Sequence, residues 1–204
     1  GGMAMGPVEG MVVMEELGRG MLLEALAHAW ISSAVLQGFA PEELKQAWLP
    51  RIAAGEALVV LAQQERGLRY HLENCHTTAS ENNGVWHVSG HKSLVAAGDH
   101  AHAFLVPAQY QGQIAMFLVA RSAATDTSHS YHAQDGSRMS ELLLNNAPAE
   151  LLTLQGLAAL QLGVDVGIAA LCAESVGLME KTLTITAEYM NTRKQFGVPI
   201  AAFQ

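Results

Sequence analysis

YMNTRKQFGVPIAAFQ, residues 189–204, closes the chain, and its reading decides the rest. Arg193 and Lys194 follow a long helical pattern, where cations complement the negative end of the helix dipole. An Arg followed by Gln195-Phe196-Gly197 also offers a forked donor suited to a pyrophosphate, with an aromatic ring beside it for a planar ring system. Gly197-Val198-Pro199 breaks the helix, apolar residues resume, and a second helix could begin at Ile200. No cap or polar tail follows, so the stretch is expected to be interior to a longer protein. The glycine-rich opening, Gly1-Gly2-Met3-Ala4-Met5-Gly6, gives the same expectation upstream.

Before that stretch, Leu157, Leu160, Val164, Ile168, Leu171, Ser175, Leu178, Thr182, Ile185 and Tyr189 recur every three or four residues. The spacing predicts one long helix from about Thr153, its apolar stripe packed on other helices. Between Ala57 and about Asn145 the period changes to two and β-branched residues dominate. Strands are predicted at Ala57 to Gln63, Lys92 to Ala97, Ala103 to Pro107, Ile114 to Val119 and Glu141 to Asn145. Cys75 to Glu81 and Val85 to Ser89 form a hairpin around Asn82-Asn83-Gly84, because Asn-Gly accepts the positive φ of a tight turn. The expected result is an antiparallel sandwich or barrel of six or seven strands. From Val8 to Ala54 the pattern is helical again: a short helix stopped by Gly18 and Gly20, a buried one over Leu22 to Leu36, and a third started by Pro41-Glu42-Glu43 and ended by Pro50 and Gly55. The class is α+β: an N-terminal helical segment over 1–56, a middle β domain over 57–148, and the start of a helix bundle over 149–204.

Half of the residues are hydrophobic and 15% are charged, a composition that buries readily. A net charge of −8 with only 11 Lys and Arg argues against a nucleic-acid partner, since phosphate binding needs clustered cations. The two cysteines, Cys75 and Cys172, lie far apart, which fits a reducing, cytoplasmic setting. No run reaches about 18 uninterrupted apolar residues, so no membrane span is expected.

His87 and His91, and His100 and His102, could each share a strand face, yet no carboxylate or Cys completes a ligand set, and no metal is expected. Ser128, His129, Asp126 and Asp135 have the composition of a hydrolase triad without a G-x-S-x-G elbow. Neither G-x-G-x-x-G nor a P-loop occurs.

Tyr189, Arg193, Gln195-Phe196-Gly197, Pro199-Ile200 and Phe203-Gln204 match the pattern Y-x-x-x-R-x-Q-F-G-x-P-I-x-x-F-Q, and with it the chain resembles the acyl-CoA dehydrogenase family. Glu15-Glu16-Leu17-Gly18-Arg19-Gly20, Leu49 to Glu56 and Gly90-His91-Lys92 extend the resemblance over essentially all 204 residues. Pro7-Val8-Glu9, Ala62 to Glu65 and Ala169 to Glu174 are most similar to small subunits of the pimeloyl-CoA dehydrogenase type and to heteromeric relatives in steroid side-chain breakdown. The resemblance implies an acyl-CoA dehydrogenase-like fold and a bound FAD. It implies oxidation of an acyl-CoA to a trans-2-enoyl-CoA, with a carboxylate taking the α-proton and an electron-transfer flavoprotein as partner. A homo- or hetero-oligomer, such as a dimer of dimers, is also implied. On it, Arg193, Gln195, Phe196, Ile200, Phe203 and Gln204 fall on a motif that holds a neighbouring subunit's FAD.

The same resemblance places the flavin against Gln63 and Gln64 on one strand and Leu94 and Ala96 on the next. Gln64 replaces the family's Thr and Tyr70 its Ser, and Leu94-Val95-Ala96 replaces Trp-Ile-Thr. Backbone N–H groups are left to make the contacts those side chains would. The base in most members lies beyond Gln204; in a minority it aligns with Gly167, and Asp165 is the nearest carboxylate, about 200° around a helix. Leu94 and Ala96 also raise a second reading, a catalytically silent partner subunit that lends FAD contacts to a sister chain.

Overall fold

The computed structural model describes residues 6–124 and 129–203. Three helices come first: α1 (Pro7–Gly20), α2 (Leu26–Phe39) and α3 (Glu42–Ala53). Seven strands follow: β1 (Val59–Leu61), β2 (Thr78–Asn82), β3 (Val85–Ala96), β4 (Ala103–Tyr110), β5 (Gln113–Ala120), β6 (Ser130–His132) and β7 (Arg138–Thr153). A helix α4 (Gly156–Thr192) then leads to a hairpin, β8 (Lys194–Gln195) and β9 (Val198–Pro199), and a 3₁₀ turn over Ile200–Phe203. The chain divides into two compact units, one from Ala25 to Gly167 and one combining the residues up to Glu24 with those from Ile168 onward.

In the first unit the predicted Asn-Gly hairpin is present. Asn83 and Gly84 have φ of 52° and 79°, the left-handed pair that lets a two-residue loop follow the twist of β2 and β3. Gly84→Ala should therefore cost about 1 kcal/mol, the penalty of a Cβ in that region, read as a lower denaturant midpoint at constant m.

The sheet closes on itself. β4 pairs along its length with β5, while β2, β3, β7 and β5 follow in order from its other edge. That edge takes β1 in parallel at Ala103 to Leu105, and β2 in parallel at Gln109. The two parallel pairings correct the all-antiparallel expectation. They arise because the β2–β3 hairpin is inserted between β1 and β4, giving the long crossover that parallel neighbours require. β6 was not foreseen; it is three exposed residues with little apolar signal. β7 runs far beyond Glu141 to Asn145 because Asn145-Asn146, which reads as an ending, is a bulge, with Asn146 at φ 51° where the register to β3 shifts.

β4 and β5 are apolar on both faces, and each face has its own partner. Phe104, Val106, Phe117 and Val119 fill the barrel interior with Val60, Val88 and Leu142. Leu105, Met116 and Leu118 point outward, where Val35 and Leu36 of α2 and Ala159 and Leu160 of α4 cover them. Such double burial produces a continuous apolar strand rather than an alternating one.

The helices depart from expectation in their bounds. α2 begins at Leu26 rather than Leu22 and ends at Phe39, and Pro50 lies inside α3, which continues to Ala53. Gly18 and Gly20 belong to α1 rather than stopping it. The phase of α4 is also corrected. Its buried positions are Gly156, Ala159, Leu160, Gly163, Gly167, Ala170 and Gly177, whereas Leu157, Ile168, Leu171, Leu178, Ile185 and Tyr189 of the expected stripe are exposed. Small residues win the packed face because neighbours approach closely there: a Cβ on Gly156 would lie 2.5 Å from the Ala115 backbone, and one on Gly163 would lie 3.2 Å from the Leu61 and Val35 side chains. By length and composition α4 could cross a membrane; a third of its most apolar window is buried inside the protein.

Candidate functional site

Lys92, on β3, is fully buried, and its ammonium donates to Glu65 Oε1 at 2.7 Å and to the Pro107 carbonyl at 2.9 Å. Glu65 also accepts from the His76 N–H at 2.7 Å, the Thr77 N–H at 3.1 Å and Thr77 Oγ1 at 2.6 Å. Burial alone would raise the Glu65 pKa, but the Lys92 charge and these donors outweigh it and hold the carboxyl at about 2. Burial pushes the Cys75 thiol, 3.6 Å from Lys92 Nζ, above its ordinary value. Gly90 permits the arrangement: a Cβ there would stand 2.3 Å from Thr77 Oγ1.

This clamp fixes the segment after β1 against β3. The Ser93 N–H donates to the Gln64 carbonyl at 2.8 Å, so Gln64 and Leu94 flank one hydrogen bond. The β3–β7 register skips from Lys92–Leu142 to Val95–Ser140, leaving Leu94 without a partner on β7 and at φ 53°. A bulky residue in the left-handed region costs roughly 1 kcal/mol, a strain found mainly where surrounding structure enforces it. Leu94, Gln64, Ser93, Tyr131, Glu141 and the loop from Glu65 to Arg69 line an open cleft of about 440 Å³. Tyr131 donates to Glu141 Oε1 at 3.1 Å, and Glu141 Oε2 meets His91 Nε2 at 2.7 Å. Nearby, Gln63 Oε1 is buried with no hydrogen-bond partner among the described residues, and Ala96 sits at the end of β3, paired with Met139.

The other candidates lie in the second unit and are described by themselves. Phe196 and Gly197, at φ 52° and 86°, form the two-residue loop of the β8–β9 hairpin. The Ile200 N–H closes it onto the Arg193 carbonyl at 2.9 Å, and a 3₁₀ turn stands where a second helix was expected. Phe196, 95% exposed, meets Phe203 edge-to-face at 6.2 Å. Gln195 Nε2 donates to the Lys194 carbonyl at 2.8 Å, and Arg193 makes no ion pair among the described residues. Gln204, Asp126 and Ser128 lie outside the described residues.

In the first unit, Asp165 is exposed and accepts from Gln161 Nε2 at 2.9 Å. Gly167 is buried, and a Cβ there would lie 3.1 Å from Ile31 Cδ1. His102 Nδ1 accepts from the Leu58 N–H at 3.0 Å, a structural use of a histidine considered for metal. Arg138 holds the Asp99 carboxyl below its usual range through a 2.8 Å Nε bond.

The acyl-CoA dehydrogenase N-terminal domain family matches residues 1–56 and the acyl-CoA dehydrogenase C-terminal domain family matches residues 155–204, more than half of the chain between them. The chain belongs to the acyl-CoA dehydrogenase family. Among its relatives, acyl-CoA dehydrogenase FadE27 of Mycobacterium tuberculosis is 28% identical over 213 residues, covering 100% of this chain and 54% of that protein. A probable acyl-CoA dehydrogenase of Bacillus subtilis is 26% identical, covering 100% of this chain and 36% of the other. Among solved structures, the ChsE4-ChsE5 complex from Mycobacterium tuberculosis aligns with a TM-score of 0.81 at 26% identity, over 100% of this chain and 55% of that one. An FAD-dependent dehydrogenase aligns at 0.89 and 25% identity, over 98% of this chain and 59% of that one. The chain thus spans about half the length, or less, of the curated relatives that head the comparison.

Sequence reasoning missed two features of this acyl-CoA dehydrogenase cleft. Tyr131 and Glu141 enter through pairing of β6 and β7, which no local pattern announces. Arg66 and Arg69 were visible only as departures from the family's usual loop.

Proposed function

We propose that this chain is part of an FAD-dependent acyl-CoA dehydrogenase that converts an acyl-CoA thioester to the trans-2-enoyl-CoA, its electrons passing to an electron-transfer flavoprotein. The observation that carries the reading is the cleft between Gln64 and Leu94. It is built by backbone held rigidly through the Lys92–Glu65 clamp, at the two positions where the family resemblance puts the flavin. The lining fits such a group in part: the Leu94 backbone stands off the β3–β7 ladder with an apolar side chain beside it, without the indole and hydroxyl usual there.

Bound FAD would supply the acceptor for the β-hydride. Gln63, Gln64, Leu94 and Ala96 would hold and orient it from one side, and Leu94 would shield that side from water. Arg193, with Gln195, Phe196, Ile200, Phe203 and Gln204, would hold the pyrophosphate and adenosine of a neighbouring subunit's cofactor through a forked cation and an edge-to-face aromatic pair. An oligomer with a homologous chain follows from that sharing, and one of the similar structures is itself a ChsE4-ChsE5 complex; the cytoplasmic setting rests on the two distant cysteines alone.

A specific observation supports the second reading, a silent partner subunit: Leu94 and Ala96 stand at the usual flavin side-chain contacts, and Asp165 is turned to solvent and bonded to Gln161. The test is the visible spectrum of the full-length protein, purified alone and with a co-expressed homologue. A yellow protein that bleaches anaerobically with an acyl-CoA when alone supports the enzyme and sinks the silent-subunit reading. Colour and bleaching only in the co-expressed complex do the reverse, and a colourless protein in both preparations overturns the flavin assignment.

A further inference from the structure

We propose that Arg66 and Arg69 form a phosphate-binding pair at the cleft, taking a phosphoryl or pyrophosphoryl group of the nucleotide-bearing ligand. The proposal rests on the flavoenzyme reading above and adds residues to it. Both arginines are exposed, both line the cleft, and neither has a hydrogen bond or ion pair among the described residues. Of the carboxylates lining the same cleft, Glu65 is paired with Lys92, while Glu141 accepts from Tyr131 and lies 2.7 Å from His91 Nε2. Two guanidiniums three residues apart thus stand against one carboxylate, Glu141, that has no Lys or Arg partner among the described residues, and the net charge of the cleft is positive.

Their placement is held from below. Glu65 opens the loop from within its buried network, and successive turns follow, Leu68 N–H to Glu65 at 3.3 Å, His71 N–H to Leu68 at 3.2 Å and Asn74 N–H to His71 at 3.1 Å. Arg69 sits in this run at φ 46°, a left-handed conformation that L residues other than Asn and Asp rarely adopt. The opposite wall offers Leu94 and Tyr131, so the cleft combines forked cationic donors with apolar and aromatic surface. A bidentate guanidinium matches phosphate geometry, and an adjoining ring or alkyl surface suits the remainder of a nucleotide. Inside this chemistry two sources are open, the flavin dinucleotide and the coenzyme A thioester.

The test uses the full-length protein, with its co-expressed homologue where one is needed for solubility, and the variants Arg66→Gln, Arg69→Gln, the double variant and Arg69→Lys. Dissociation constants are measured for FAD, FMN, coenzyme A and inorganic pyrophosphate, with thermal unfolding as the folding control. Each Gln substitution should weaken the phosphate-bearing ligand by about tenfold, as loss of a charge-assisted bond does. Arg69→Lys should fall between, keeping the charge without the fork. Weakened FAD with unchanged FMN assigns the flavin's pyrophosphate. Weakened coenzyme A with unchanged FAD assigns the thioester's phosphates. Either result supports the pair, as does weakened pyrophosphate alone. If wild type binds FAD or coenzyme A and the double variant binds every probe within twofold of it, the pair is overturned while the flavoenzyme reading stands. If wild type binds neither FAD nor coenzyme A, that reading fails, and unchanged pyrophosphate binding then overturns the pair as well.

Discussion

Lys92→Met is expected to destabilise the β barrel by about 3–5 kcal/mol, the cost of stripping one partner from a buried ion pair. Methionine nearly matches the volume of lysine, so cavity formation contributes little. The loss comes from Glu65, left buried and still bonded to Thr77 and the His76 N–H but without its counter-ion. The pH dependence separates this cause from a packing defect. In wild type the Glu65 carboxyl is held at about 2, against an ordinary 4.5. A depressed native pKa gives stability that is complete above about 4.5 and is lost as pH falls from there towards 2. Without Lys92, burial dominates and the Glu65 pKa rises. The variant should then gain relative to wild type on going from pH 7 to pH 4, while wild type loses. Urea unfolding at both pH values measures this, and Lys92→Met with Glu65→Gln should recover much of the single variant's loss. A deficit below about 1 kcal/mol, or one that does not shrink with acid, would sink the explanation.

What was legible in the sequence was what local chemistry dictates. Asn83-Gly84 gave its hairpin because only a few residues accept both positive φ angles, and β4 and β5 were visible as dense apolar runs. What was illegible depends on who lies opposite. The parallel β1–β4 pairing follows from where the hairpin is inserted, and the phase of α4 follows from the close approach of neighbouring backbone and side-chain atoms. A stripe of Leu and Ile looks like a packing face until glycines 163, 167 and 177 are seen to take that role. The cleft divides in the same way. Gln64 and Leu94 could be placed only through a family resemblance, since one hydrogen bond from Ser93 joins segments distant in sequence. The left-handed Leu94 has no sequence signal, because leucine does not advertise positive φ as Gly or Asn does.

Gly177→Ala should destabilise the unit formed by α1 and the C-terminal part of α4 by about 3 kcal/mol, although helix propensity alone predicts a gain of about 1 kcal/mol. A Cβ at Gly177 would lie 1.8 Å from the Glu15 carbonyl oxygen, and one at Gly18 would lie 2.0 Å from the Glu174 carbonyl oxygen. Both obstacles are backbone, so no side chain can rotate away to make room. The contact is reciprocal: each glycine faces the carbonyl three residues before the other, as two helices crossing at small residues would arrange. Arg19, one residue past Gly18, bonds Glu15 at 2.9 Å, Glu16 and Glu180, so its cation spans the same crossing. Separating the helices by the width of a methyl group would stretch that bridge as well, but exposed ion pairs contribute at most about 1 kcal/mol. The backbone clash should therefore dominate, and Arg19→Gln should cost far less than Gly177→Ala. Chemical denaturation of both variants, with amide exchange followed in α1, decides the matter. Faster exchange through Met14 to Arg19 together with a lowered midpoint is expected for Gly177→Ala, whereas a midpoint at or above wild type would show that the crossing does not exist in solution.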